Sequence, residues 1–162
     1  ALAALLTKMQ DAQTQALTRL WENRQSGLPL KTPQEALVLA SIVEKETGQA
    51  GERGQVAAVF INRLRKRMRL QSDPTIIYGL VGGTGALGRP IRLSEISKPT
   101  PYNTYAIFGL PPTPIANPGR AALAAVLDPP STSALYFVAD GTGGHVFADT
   151  LVEHNKNVRR WR

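Results

Sequence analysis

Apolar positions recur at helical spacing toward both ends of the chain and lose that regularity in the middle. From Ala1 to about Ser26 there is no Pro or Gly, and Leu2, Leu5, Leu6, Met9, Ala16, Leu17 and Leu20 fall at helical intervals. The pattern predicts one long amphipathic helix, ended by Gly27. The stretch KTPQEALVLASIVEKETG predicts a second. Thr32 can cap it, Pro33 takes the first helical position, and Glu35, three residues after Thr32, completes a capping box. This helix should run to about Thr47, with Gly48 as its stop. GERGQVAAVFINRLRKRM predicts a third helix, its apolar stripe formed by Val56, Phe60, Leu64 and Met68.

Between Gln71 and Pro118 the texture changes to Gly, Pro, Ser, Thr and Asn, as in GLVGGTGALGRP and GLPPTPIANPG. Loops with short helices are expected there, and long loops in a compact domain are often functional. Arg120 to Leu127 predicts a short helix before Pro129 and Pro130. ALYFVAD and GHVFAD flank GTGG and predict an antiparallel hairpin. TLVEHNKNVRRW predicts a closing helix, with Thr150 and Glu153 as a second capping box. No internal repeat is visible. The fold class is α+β, mostly helical with a small antiparallel hairpin. Residues 1–30 form an N-terminal helix or linker, and residues 31–162 form the main domain.

Within the second helix, the run LVLASIVEKETG carries two glutamates, Glu44 and Glu46. At about 100° per residue, Glu46 shares a broad face with Val38, Leu39, Ile42 and Val43. Glu44 falls opposite, beside Leu37, Ala40 and Ser41. Both faces carry apolar residues, so the helix should be buried nearly all round. Small neighbours leave room beside Glu44, which suits a carboxyl lining a substrate groove. Burial there would raise its pKa, as a general acid requires. Glu46, among branched residues, suits a structural carboxylate paired with a cation, and Arg63 on the next helix is the candidate partner.

Composition narrows the class. The chain has 162 residues, a net charge of +7 and no cysteine, so disulfide and thiolate chemistry are excluded. No apolar run approaches the roughly 18 residues of a membrane span. The chain starts abruptly at Ala1, as an excised fragment would, so any membrane anchor is expected outside it. The positive charge suits an anionic partner. Its densest run is NRLRKRMRL, but no nucleic-acid motif accompanies it, and the run reads as a solvated helix face. The two histidines, His145 in a strand and His154 on a helix face with Leu151, Val158 and Trp161, lack the acidic company of a metal site. No metal or cofactor is expected. GTGG and GGTG lack the residues of a phosphate loop, and no nucleophile elbow appears.

Four blocks occur in a fixed order: ASIVEKET, VFINRLRKRMRLQSDPTIIYGL, PYNTYAIFGLPPTPIANPG and YFVADGTGGHVFADTLVEHNK. Together they resemble the MltG/YceG-like endolytic murein transglycosylases over roughly Pro33 to Lys156. The first thirty residues carry no such likeness. Thr113 stands where the family usually has Gly, and GLVGGTGALGRPIRL looks like a variable stretch. The resemblance implies a lysozyme-like catalytic domain with a substrate groove, working at the periplasmic face of the bacterial inner membrane. Its substrate would be nascent peptidoglycan strands, and peptidoglycan synthases are candidate partners. It implies the first Glu of the block, Glu44, as the catalytic acid/base.

Such an enzyme needs one carboxyl group rather than the usual glycosidase pair. The acid protonates the oxygen between N-acetylmuramic acid and N-acetylglucosamine, and the muramoyl 6-hydroxyl closes a 1,6-anhydro ring. Gln71, Ser72 and Asp73 are candidate sugar contacts, although Asp73 before Pro74 equally suits a turn or a helix cap. Tyr102, Asn103 and Tyr105 are candidates for stacking on and hydrogen bonding to sugars, and the two tyrosines equally suit filling the core under a loop. Three rival readings stand beside this one. A hydrolytic muramidase would use Asp73 as a second carboxylate, a peptidoglycan-binding module would have no activity, and a nucleic-acid binder ranks last.

Overall fold

The computed structural model describes all 162 residues. In chain order it contains α1 (Leu2–Glu22), α2 (Pro33–Glu46), a 3₁₀ turn (Ala50–Glu52), α3 (Arg53–Arg65), α4 (Asp73–Val81), α5 (Leu93–Ser97), α6 (Arg120–Leu127), β1 (Tyr136–Ala139), β2 (His145–Ala148) and α7 (Leu151–Trp161). Helices dominate, and the only sheet is the antiparallel β1–β2 hairpin, with Tyr136 opposite Ala148 and Ala139 opposite His145. The α+β expectation holds. No helix is long and apolar enough to cross a membrane.

The core is built around α2. Ala36 and every residue from Val38 to Val43 are buried, because α3 and α6 both pack on this helix. Thr32 caps its start as expected, Oγ1 accepting the Glu35 N–H at 3.1 Å, but the Glu35 carboxylate reaches past the Thr32 N–H to that of Lys31 at 2.9 Å, so the reciprocal half of the capping box shifts by one residue. Its end differs from expectation. Thr47, not Gly48, leaves the helix, in extended conformation.

α3 buries Val56 through Ile61 without a break, and Phe60 meets Phe137 of the hairpin edge-on at 5.8 Å. Met68 was expected on its stripe but lies beyond the helix. There Arg67 turns left-handed at φ +56°, and the N–H groups of Arg67 and Met68 bond back to the carbonyls of Leu64 and Arg63. This is a Schellman ending with Arg in the glycine position.

α1 ends at Glu22, where Asn23 Nδ2 takes the Arg19 carbonyl at 2.9 Å, before Gly27 is reached. Leu17, Leu20 and Trp21 of α1 pack against the core, and Gln25 N–H bonds the Leu127 carbonyl. The second half of α1 is therefore docked on the main domain rather than hanging from it as a linker. Leu2, Leu5, Leu6 and Met9 in its first half remain exposed.

Candidate active site

The C-terminal end of α2, the N-terminal end of α4 and the hairpin enclose an open cavity of about 400 Å³. Glu46 lines it, together with Arg63, Gln71, Asp73, Tyr105, His145 and His154. Glu44 does not. The room expected beside Glu44 is filled by the loop before α6. Ser41 Oγ accepts the Ile115 N–H at 2.9 Å, and Glu44 Oε1 accepts the Gly119 N–H at 2.6 Å. Gly119 is the N-cap of α6, so the Glu44 carboxylate sits where the helix dipole favours negative charge. Glu46 lies at the last residue of α2, beyond the run packed under α3 and α6, and so reaches the cavity.

Burial raises the Glu46 carboxyl above the ordinary carboxylate range. A hydrogen bond from Ser72 Oγ to Oε1 at 2.6 Å opposes this, the charge of Asp73 adds to it, and a protonated His145 and the charge of Arg63 oppose it. The expected ion pair with Arg63 does not form. Buried Arg63 instead donates to the carbonyls of Leu135 (2.7 Å), Arg69 and Leu70 (3.1 Å each), and its guanidinium lies 5.1 Å from the Tyr136 ring centre. It ties α3 to the chain before α4 and to the start of the hairpin.

The α4 side is held by hydroxyls. Ser72 N–H bonds Thr104 Oγ1 at 2.8 Å, Thr104 Oγ1 and Thr75 Oγ1 are 2.9 Å apart, and Gln71 N–H bonds the Thr104 carbonyl at 3.1 Å. Gln71 is at φ +53°. This network aligns Ser72 with Glu46 and brings Tyr105 to Asp73, to which its hydroxyl donates at 2.6 Å. Burial, then the bond to Asp73 and that residue's charge, push the Tyr105 phenol well above its usual range, so it stays a donor.

Of the candidate sugar contacts, Gln71, Asp73 and Tyr105 thus share the cavity with Glu46, and Ser72 buttresses it. Asn103 is buried and spent on the fold: Nδ2 donates to the carbonyls of Ile96 and Lys98, with Glu95 at longer range, while Oδ1 accepts the Tyr105 N–H. Tyr102 lies away from this cavity, its ring 5.1 Å from Tyr78 and its hydroxyl 2.7 Å from Thr113 Oγ1.

Two wall residues were not singled out from sequence as site residues, His145 and His154. His154 stacks on Tyr136 at 5.0 Å, its Nδ1 buried without a partner. Burial, aided by Arg63 and Arg162, holds its imidazole below the usual histidine range. A lone histidine in a strand or on a helix face carries no sequence signal of a shared cavity.

A second cavity has a volume of about 740 Å³. It is lined by Lys45 and Pro74, the chain neighbours of Glu46 and Asp73, and by Tyr78 and Asn117.

The YceG-like family model matches residues 2–160, so the likeness reaches α1, where the sequence blocks showed none. An endolytic murein transglycosylase of Bacillus subtilis is 42% identical over 125 residues, covering 77% of this chain and 34% of its own length. One of Streptococcus pneumoniae is 38% identical over 133 residues, covering 78% of this chain and 23% of its own length. The chain thus spans between about a quarter and a third of the length of these relatives. A crystal structure of a YceG-like protein from Listeria monocytogenes superposes with a TM-score of 0.68 at 41% identity, covering 76% of this chain and 38% of that one.

Proposed function

Because the chain belongs to the YceG-like family, we propose that it carries the catalytic centre of an endolytic peptidoglycan transglycosylase, with Glu46 as the acid. One observation carries the assignment to Glu46. It is the carboxyl that lines the cavity with its pKa raised by burial, whereas Glu44 is bound to the start of α6. A protonated carboxyl near neutral pH can donate to a glycosidic oxygen.

As the bond between N-acetylmuramic acid and N-acetylglucosamine breaks, the muramoyl 6-hydroxyl attacks its own anomeric carbon. In the simplest scheme its proton goes to the carboxylate just formed. Water is not consumed. Asp73, Tyr105 and Gln71 line the same cavity and carry groups that can hydrogen-bond sugar hydroxyl or acetamido groups. The site of action would be the cell envelope, at the periplasmic face of the inner membrane, with peptidoglycan synthases as partners of the whole protein.

The test is mass spectrometry of uncrosslinked glycan strands incubated with wild type, Glu46→Gln and Glu44→Gln. Internal fragments with anhydromuramoyl ends, lost with Glu46→Gln alone, support the proposal. Loss with Glu44→Gln alone, in a folded protein, would return the acid to Glu44. Asp73 sharing the cavity favours one second reading, a muramidase, and reducing ends in place of anhydro ends would select it.

A further inference from the structure

The 3₁₀ turn before α3 and the first residue of β2 meet through a contact that Glu46 does not need. Glu52 accepts the backbone N–H of His145 on Oε1 at 2.8 Å and holds the ring Nδ1 on Oε2 at 2.8 Å. The glycines before His145 allow the approach. A Cβ on Gly144 would lie 2.8 Å from Glu52 Oε1, and one on Gly143, at φ +90°, would lie 3.1 Å from Gln49 Nε2. Phe137 meets the imidazole at right angles, ring centres 5.2 Å apart. The ring is fixed by a carboxylate and an aromatic neighbour, the kind of support that orients a reactive histidine. His145 lines the cavity; Glu52 does not. A carboxylate only accepts, so Nδ1 carries the hydrogen, and in the neutral ring Nε2 keeps its lone pair.

We propose that His145, oriented by Glu52, is the general base that takes the proton of the muramoyl 6-hydroxyl as that oxygen closes on the anomeric carbon. The inference rests on the transglycosylase reading and divides its proton transfers between two groups. Glu46 gives its proton to the glycosidic oxygen as the C1–O bond breaks. The O6–C1 bond forms, and the O6 proton moves to His145 Nε2. Return of that proton through solvent to the Glu46 carboxylate restores both groups. Ser72 occupies Glu46 Oε1, so without a second group the one remaining oxygen would serve both the leaving oxygen and O6. Glu52 is a positioning residue: it touches no substrate and fixes the tautomer.

Uncrosslinked glycan strands are incubated with wild type, His145→Asn and Glu52→Gln, the new ends are followed by mass spectrometry, and the ¹⁵N shifts of the His145 ring are read in wild type without substrate. The Asn amide can keep the bond to Glu52 while removing Nε2. The expected results are loss of about 10²-fold or more in kcat for His145→Asn at unchanged KM and melting temperature, a smaller kcat loss for Glu52→Gln, and an Nδ1–H tautomer. Anhydro ends formed by His145→Asn at the wild-type rate, or an Nε2–H tautomer, would overturn the role of His145 alone. Strands left uncut by wild type would overturn the transglycosylase reading together with it.

Discussion

At the scale of single residues, the position of Glu46 in the cavity wall comes at a cost to the fold. Its carboxyl pKa is raised in the folded state, so the folded protein holds this proton more tightly than the unfolded chain. The stabilising effect of that proton is fully present below the unfolded pKa, near 4.3, and is lost as pH rises through the higher folded value. Glu46→Gln should therefore melt at a higher temperature than wild type at pH 7. The gap should close as the buffer approaches pH 4, while turnover falls about 10²-fold or more. Thermal melts at both pH values check the sign, and a lower melting temperature at pH 7 would contradict it. Glu44→Gln should do the reverse. Turnover stays near wild type, and stability drops by about 0.5–1 kcal/mol as the charge facing the start of α6 is lost; denaturant titration measures it. The wheel separates the two glutamates onto different faces, but the small neighbours of Glu44 point to it as the groove carboxyl, and it is Glu46 that lines the cavity. What decides between them is a loop some seventy residues later, whose Ile115 and Gly119 N–H groups occupy the Ser41–Glu44 face. Periodicity within one helix holds no information about such a cover.

At the scale of elements, local chemistry set most boundaries, and the misses have local causes. Thr32 and Thr150 each accept the N–H three residues on, and α6 spans the predicted Arg120–Leu127. These are contacts within one turn, visible in sequence because they need no partner from elsewhere. The apolar stripe runs on to Met68 in sequence because nothing in RLRKRM marks Arg67 as left-handed; glycine, the usual sign, is absent. The amide of Asn103 suits sugars and backbone carbonyls equally, and only the tertiary structure shows that carbonyls have taken it. Arg67→Gly should stabilise the protein by roughly 0.5 kcal/mol, the left-handed penalty of about 1–2 kcal/mol less the added freedom of glycine in the unfolded chain. Asn103→Ala should destabilise by about 2 kcal/mol or more, since it strips donors from buried carbonyls. Urea titrations of the two variants test both signs, and equal midpoints would show that neither turn is held as described.

At the scale of the whole molecule, four of the cations behind the +7 net charge lie next in the chain to the wall of the Glu46 cavity. Arg65, Lys66, Arg67 and Arg69 are exposed at the end of α3, and the chain passes directly from them to Leu70 and Gln71, which line the Glu46 cavity. Two of the four are engaged: Arg65 donates to the Gly27 carbonyl at 3.3 Å, and Arg69 lies 4.4 Å above the exposed ring of Phe108. Lys66 and Arg67 make no side-chain hydrogen bond or ion pair and are free to meet an anion. If the cavity takes a glycan strand, the stem-peptide carboxylates of that strand are the anions at hand. Neutralising both residues, Lys66→Gln with Arg67→Gln, removes about 0.5–1 kcal/mol of attraction per charge, so strand binding should weaken several-fold in low salt. The difference should vanish near 1 M salt, where charges are screened beyond about 3 Å, and on strands stripped of their stem peptides. Cosedimentation with intact and stripped strands across a salt series measures both. Equal binding by the variant in low salt would leave the run a solvated face, while a loss that persists on stripped strands would mean that these residues touch the sugar itself.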